Sequence, residues 1–428
     1  MRIISVKDCD YENIVKSICN RTEDAFSEID AVIEKICIDI RERGDKALYD
    51  YTQKYDQVFL SNLKVQRSEI EEALQFVEEA FLSIIKEAKE NIWQYHQKQL
   101  QSTWLQYKED EIILGQSITA IEKVGIYVPG GKASYPSTVL MNAIPAKVAG
   151  VKRIVMVTPP RKDGTIDPYI LAAAAISGVD EIFKVGGAQS IAALAYGTES
   201  IKPVHKIVGP GNIYVARAKK RVFGAVDIDM IAGPSEICII ADENANAKYI
   251  AADLLSQAEH DEMASSVLIT TSKGLAERVK NELYQQMEGL ERKDIMKASI
   301  ANYGAIFVVS DLEAAIALSN ELAPEHLELM VNQPFEYLPK IKNAGAIFLG
   351  QYAPEPLGDY FAGPNHTLPT SGTAKFSSPL GVDDFIKKSS IIYYGRGALE
   401  KAKDKIIYFA QKEGLSAHAN SIKVRFEE

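Results

Sequence analysis

Short apolar runs that alternate with helical patterns constrain this chain more than any other feature. Val124-Gly125-Ile126-Tyr127-Val128 is a β-type run that ends in Pro129-Gly130-Gly131, and a small-residue helical pattern follows it. Further strand-like runs stand at 153–157, 181–185 and 206–208, separated by Ala-rich helical stretches and followed by a helix from about Tyr214. Strand–helix–strand alternation with short loops predicts a parallel sheet covered on both faces. A second series begins at Ile237-Cys238-Ile239-Ile240-Ala241 and continues through 267–270, 305–309 and 346–349. The expected fold class is therefore α/β, with two parallel-sheet domains in succession. No sequence repeat relates the two series.

The rest of the chain frames these sheets. Residues 11 to about 110 read as helical, with apolar residues every three or four positions and no Gly or Pro between Gly44 and Gly115. A tail of mixed pattern closes the chain from about 380, and it is not low-complexity. A length of 428 residues makes two domains the default. The net charge of −10 argues against a nucleic-acid partner. Lys219-Lys220-Arg221, the densest basic run, reads as a solvated helix face. Cys9, Cys19, Cys37 and Cys238 form neither a disulfide framework nor a zinc ribbon. The start lacks a signal-peptide core, and no apolar stretch reaches the roughly 20 residues of a membrane span, so the cytoplasm is the expected address.

Chemistry concentrates around the histidines. Four of the six, His260, His326, His366 and His418, lie in short runs rich in carboxylates, glycines and prolines. Imidazole shuttles protons near neutral pH and ligates Zn²⁺ well. Gln257 and His260 are three apart in an apolar helical pattern, which places both on one face. Together they make half a metal shell that Asp359 and another His can complete; the alternative is a His that merely hydrogen-bonds at a helix end. Glu325 and His326 follow Pro324, which places them near a helix N-terminus. Such a pair can share acid–base work on an alcohol and a water, or act as a cap beside a buried His. The Gly-, Pro- and Ser-rich segment 354–388 carries Asp359, His366 and Lys375 and reads as an ordered functional loop.

Glycine-rich turns close three strand-like runs: Pro129-Gly130-Gly131, Gly186-Gly187-Ala188-Gln189 and Gly209-Pro210-Gly211-Asn212. Glycines there let backbone N–H groups approach a phosphate at a helix start. None matches GxGxxG, since Tyr214 stands where a third Gly is needed. Three such turns at one edge of one sheet suit a nucleotide-sized ligand. Cys238 sits in an apolar strand pattern without an adjacent base, so it reads as packing rather than as a thiol nucleophile. His96 and His205 have no clustered partners and read as structural or surface residues.

Taken together, these runs resemble the histidinol dehydrogenase family over nearly the whole chain. The matching stretches include Val124–Met141, Gly186–Thr198, Asp229–Glu236, Leu254–Asp261, Ala323–Leu329 and Gly358–Thr370. The helical first hundred residues match only loosely.

The resemblance implies oxidation of L-histidinol to L-histidine in two NAD-dependent steps, through L-histidinaldehyde held on the enzyme. It implies one Zn²⁺ per subunit on Gln257, His260, Asp359 and His418. Glu325 and His326 would be catalytic, and Ser235, His366 and Glu413 would also contact substrate. Tyr127, Gln189 and Asn212 fall at the family's NAD positions, on incomplete Rossmann-like domains that lack GxGxxG. It further implies a homodimer whose tail histidine serves the partner's site.

The expected division is a helical segment 1–23 and a metal-bearing and catalytic α/β domain of 24–126 plus 237–379. An NAD-binding α/β domain of 127–236 and an exchanged tail of 380–428 complete it. The alternatives are an alcohol or aldehyde dehydrogenase of other specificity, one version using Cys238, and a catalytically inactive zinc-binding protein.

Overall fold

The computed structural model describes residues 1–5, 11–19, 26–109, 111–130 and 134–427. Cys9 and Gly131 lie outside the described residues, as does part of the expected helical segment 1–23. In chain order the strands are β1 (Arg2–Ser5), β2 (Trp104–Lys108), β3 (Ile112–Ala120), β4 (Lys123–Tyr127), β5 (Arg153–Thr158), β6 (Glu181–Lys184) and β7 (Lys206–Val208). They continue with β8 (Asp227–Ile228), β9 (Glu236–Ala241), β10 (Ser265–Thr270), β11 (Gly304–Val308), β12 (His326–Met330), β13 (Ala346–Leu349) and β14 (Ile386–Tyr394). The chain divides into a larger unit, 1–99 with 121–385, and a smaller one, 100–120 with 386–428.

The larger unit contains both expected parallel sheets. One runs β6-β5-β4-β7-β8 and the other β1-β11-β10-β9-β12-β13. Counted within each series, both follow the order third, second, first, fourth, fifth. Each therefore has a switch point, between β4 and β7 in one and between β9 and β12 in the other. The start of the chain is not wholly helical: Arg2–Ser5 pairs with β11 as an edge strand, and Tyr11–Cys19 is helical.

Local signals explain the crossover helices. Asp167 caps the helix Pro168–Ser177 by accepting the Tyr169 N–H, Pro168 supplies the fixed first φ, and Gly178 ends it at φ +76. Ala172, Ala173 and Ala174 in this helix and Ala192 and Ala193 in Gly187–Tyr196 are fully buried and allow close packing on the sheet. The helix Ser27–Arg43 buries Ile33, Ile36 and Ile40 in the core that holds Ile191, Leu194 and Val155. Each such aliphatic side chain contributes about 1.5–3 kcal/mol on burial. In the second sheet Cys238, Ile240, Leu327 and Leu329 enter the core on one face, and Ile237, Ile239 and Met330 enter the core on the other.

The helical reading of 11–110 holds for Ser27–Arg43, Asp45–Tyr55, Arg67–Phe76 and Glu79–Gln97, then fails at Trp104. Residues 104–108 form β2, which pairs antiparallel with β3; β3 pairs in turn with β14. The absence of Gly and Pro does not separate helix from strand. The pairing that decides β2 comes from residues across a loop, with β14 far along the chain. The smaller unit adds the helices Arg396–Lys412 and Ser416–Lys423, and it exposes Trp104, Tyr107, Ile392, Tyr408 and Phe409.

Candidate active site

Glu325 and His326 do not open a helix. The helix Leu312–Leu322 ends at Ala323 in a left-handed conformation, φ +50. Pro324 cannot continue it, and the apolar run from Leu327 then enters the sheet as β12. Burial and neighbouring charge, rather than a helix dipole, therefore set the electrostatics of the pair.

Both side chains are gripped by one residue of the adjacent strand. The Glu236 N–H donates to Glu325 Oε2 at 2.8 Å, and His326 Nδ1 lies 3.0 Å from the Glu236 carbonyl. A carbonyl only accepts, so Nδ1 carries a proton and Nε2 is the working nitrogen. That Nε2 is buried without a hydrogen-bond partner and faces Asp359 Oδ1 at 3.8 Å. Burial pushes the Glu325 carboxyl up to about 8. Burial opposes charge on His326, but Glu325, Asp359 and Glu355 outweigh it and raise the imidazole to about 10.

Asp359 lies on the short helix Glu355–Tyr360. Burial would raise its carboxyl, but His326, His366 and His260 hold it at about 2. His260 follows the helix Ala247–Ala258, and its Nε2 is 4.0 Å from Glu355 Oε1. Ligand atoms of His260, Glu355 and Asp359 all lie within 4.8 Å of one another. Gln257, in the last turn of the same helix, is buried, and its Oε1 has no partner. A buried amide oxygen left unpaired is costly unless something binds it. With an imidazole and carboxylates, it forms a mixed N/O donor set suited to a divalent cation such as Zn²⁺.

Glu355 escaped the sequence reading. The signal was present: it stands four residues before Asp359, one helical turn away, after Pro354. Its Oε2 accepts the Ser256 hydroxyl at 2.8 Å, and its N–H donates to Glu328 Oε1 at 2.9 Å. Burial raises Glu355 to about 7, and it raises Glu328 and Asp253 behind it as well. His366 Nδ1 donates to the Asp359 carbonyl at 3.0 Å, and its Nε2 is 3.4 Å from Thr138 Oγ1. Ser235 is half-buried immediately before Glu236. A cleft of about 980 Å³ is lined by His326, Asp359, His366, Phe348 and Asp229.

The three glycine-rich turns follow the C-terminal ends of β4, β6 and β7, at one edge of one sheet. Tyr127 ends β4; burial pushes its phenol up to about 12, and its oxygen accepts the Gly187 N–H at 3.3 Å. Gln189 is buried in the first turn of Gly187–Tyr196. Asn212 caps Ile213–Val222, its side-chain oxygen accepting the Tyr214 and Val215 N–H groups. Val208 pairs with Ile126, so Gly209 meets Tyr127 at the switch point.

The histidinol dehydrogenase family model matches residues 19–426. The chain belongs to the histidinol dehydrogenase family. It is 57% identical over 427 residues to the histidinol dehydrogenase of Clostridium acetobutylicum, covering 100% of this chain and 99% of that one. The corresponding enzyme of Caldanaerobacter subterraneus is 59% identical over 415 residues, covering 96% of each chain. The crystal structure of histidinol dehydrogenase from Elizabethkingia anophelis superposes with a TM-score of 0.94 at 36% identity, covering 100% of this chain and 98% of that one.

Of the residues expected from histidinol dehydrogenases, Gln257, His260, Glu325, His326, Asp359 and His366 belong to the larger unit; His326, Asp359 and His366 line the cleft, His260 stands beside Asp359, and Glu325 shares the Glu236 backbone with His326. Glu413 and His418 lie in the smaller unit, after Arg396–Lys412 and on Ser416–Lys423, both exposed. Cys238 is fully buried within β9, and burial pushes its thiol up to about 12, which leaves it unreactive. His96 is buried with Nδ1 on the Ile92 carbonyl, and His205 is exposed. Lys219 corrects the reading of its basic run as a solvated face. It is buried in an ion pair with Asp229, because a helix packed on a sheet turns one residue of any three consecutive ones inward.

Proposed function

We propose that this chain oxidises L-histidinol to L-histidine in two NAD-dependent steps through L-histidinaldehyde, completing histidine biosynthesis. One observation carries the reading. Glu325 and His326 hang from the backbone of Glu236, with the unpartnered His326 Nε2 facing the cluster of Asp359, His260 and Glu355. When bound, Zn²⁺ on Gln257, His260, Asp359 and His418 supplies a Lewis acid that holds and polarises the substrate, and NAD⁺ supplies the hydride acceptor.

The chain's own residues move the protons. His326 Nε2, left without a hydrogen-bond partner beside Asp359, takes the alcohol proton in its unprotonated form as hydride leaves the carbon. Glu325, held by the Glu236 N–H on its Oε2, takes a proton in its carboxylate form from the water that adds to the aldehyde. His326 returns its proton to the aldehyde oxygen as the water adds, and when the resulting hydrate gives up the second hydride a hydroxyl proton passes back to His326. Ser235, His366 and Glu413 orient the substrate. Tyr127, Gln189 and Asn212 receive the dinucleotide on an incomplete Rossmann-like sheet, where helix starts and glycines take the place of GxGxxG.

The proposed assembly is a cytoplasmic homodimer in which the tail 380–428 lends His418 and Glu413 to the site of a second copy. The proposed catalytic part is built on the sheet of β9 to β13 and the proposed NAD part on the sheet of β4 to β8, with the helix Ser27–Arg43 packed in the core of the latter. Among the described residues no helix is long and apolar enough to cross a membrane. An aldehyde dehydrogenase that uses Cys238 is disfavoured by that thiol's burial.

The test is NADH formation from L-histidinol and NAD⁺ before and after chelation and zinc add-back. Histidinol-dependent NADH that is lost with chelator and restored by zinc supports the reading. No NADH from the zinc-loaded protein overturns it.

A further inference from the structure

The pair Lys219–Asp229 is buried, with side chains only 2% and 1% exposed, and the catalytic steps above do not use it. It grips one peptide turn from both sides. Asp229 Oδ2 accepts the Gly209 N–H at 2.8 Å, and Lys219 Nζ donates to the Gly209 carbonyl at 2.9 Å. Gly209 sits at φ +112, and a Cβ there would lie 2.2 Å from the Tyr127 carbonyl oxygen. The turn that carries Asn212 is thereby pinned against the residue that ends β4.

Asp229 also begins a short segment whose other end is Glu236. Gly233 N–H donates to Thr370 Oγ1 at 2.7 Å, and Glu236 Oε1 accepts the Ser371 N–H at 2.9 Å, so the segment is fixed along its length. Its far end holds Glu325 and His326. Only the six residues 230–235 therefore separate the clamp on the Gly209 turn from the grip on the catalytic pair. Hydride transfer is sensitive to displacements of an ångström or less, so such a link is what the reaction requires.

We propose that Lys219 and Asp229 are positioning residues that set the dinucleotide turn relative to Glu325 and His326. The inference rests on the reading that the Gly209 turn receives NAD. Removing one partner strands a buried charge, whereas removing both does not. The test therefore uses the zinc-loaded full chain carrying Lys219→Met with Asp229→Asn, beside each single variant. NAD affinity is measured by calorimetry, and KM and kcat are measured for each substrate.

The folded double variant should bind NAD at least tenfold more weakly and lose kcat, while its zinc content and KM for histidinol stay within twofold of wild type. Each single variant strands a buried charge, so both should unfold at lower urea concentration than the double variant. A folded double variant with wild-type NAD affinity and kcat overturns the positioning role and leaves the pair purely structural. Failure of the wild-type chain itself to bind NAD overturns the cofactor reading, and this inference with it.

Discussion

Gly209→Ala puts the switch-point geometry under direct strain. A methyl at this position meets the Tyr127 carbonyl oxygen at 2.2 Å, and φ +112 is a conformation that side-chain-bearing residues rarely adopt. The backbone conformation alone costs about 1–3 kcal/mol. Relieving the contact requires the turn to withdraw by roughly an ångström, because real Cβ contacts stay beyond 3.0 Å. That movement stretches the hydrogen bonds to Asp229 and Lys219, now 2.8 and 2.9 Å, past useful length. Each lost bond to a charged group is worth about 1.5–3 kcal/mol. The expected destabilisation is therefore about 3 kcal/mol or more, at the upper end of single substitutions. It is read as a lower urea midpoint with an unchanged slope, together with a more than tenfold loss of NAD affinity at temperatures where the variant is folded. A variant less than about 1 kcal/mol destabilised, with wild-type NAD affinity, would refute the reasoning.

Other substitutions separate the remaining roles. Glu325→Gln should leave the first hydride transfer fast and slow the second by about 10²–10⁴-fold in rapid-quench experiments; equal slowing of both steps would contradict the assignment of the water-activating base. Gln257→Ala should weaken zinc binding at least tenfold in chelator competition, with activity recovered at excess zinc, and unchanged affinity would remove Gln257 from the ligand set. Cys238→Ala should retain near-normal turnover, whereas loss of all activity in a folded variant would revive a thiol mechanism. Burial raises Asp253 from 3.8 to about 6, so its contribution to stability is fully present below about pH 4 and declines as pH rises to about 6. Asp253→Asn should flatten that decline in urea melts of the chelated protein between pH 4.5 and 7.5, and an unchanged slope would exclude Asp253 as its source.

The sheets were legible in the sequence because their strands are continuous apolar runs, buried on both faces and bounded by glycine and proline, as at Ile237–Ala241. β2 was not, because Trp104–Lys108 is exposed along its length and its strand state depends on pairing with β3. Helix periodicity upstream carried the wrong expectation through it. The Glu325–His326 pair was found by its composition, but Pro324 was read as a helix start when it follows a helix end. Only the burial of Leu327–Met330 in the middle of a sheet decides between the two. Glu355 and the Lys219–Asp229 clamp were missed for a different reason. A carboxylate or lysine that is common on surfaces gives no local sign of burial, and the partners of Lys219 are brought to it by the fold. The Gly-rich turns were placed correctly at one sheet edge because that edge follows from strand order alone.

The measurement that tests the account most directly is the amount of NADH formed per L-histidinol consumed by the zinc-loaded protein at completion. Two NADH and one L-histidine per histidinol are predicted, since His326 and Glu325 together serve both oxidations. One NADH per histidinol, with the aldehyde accumulating, would contradict the claim that this site carries the reaction through to the acid.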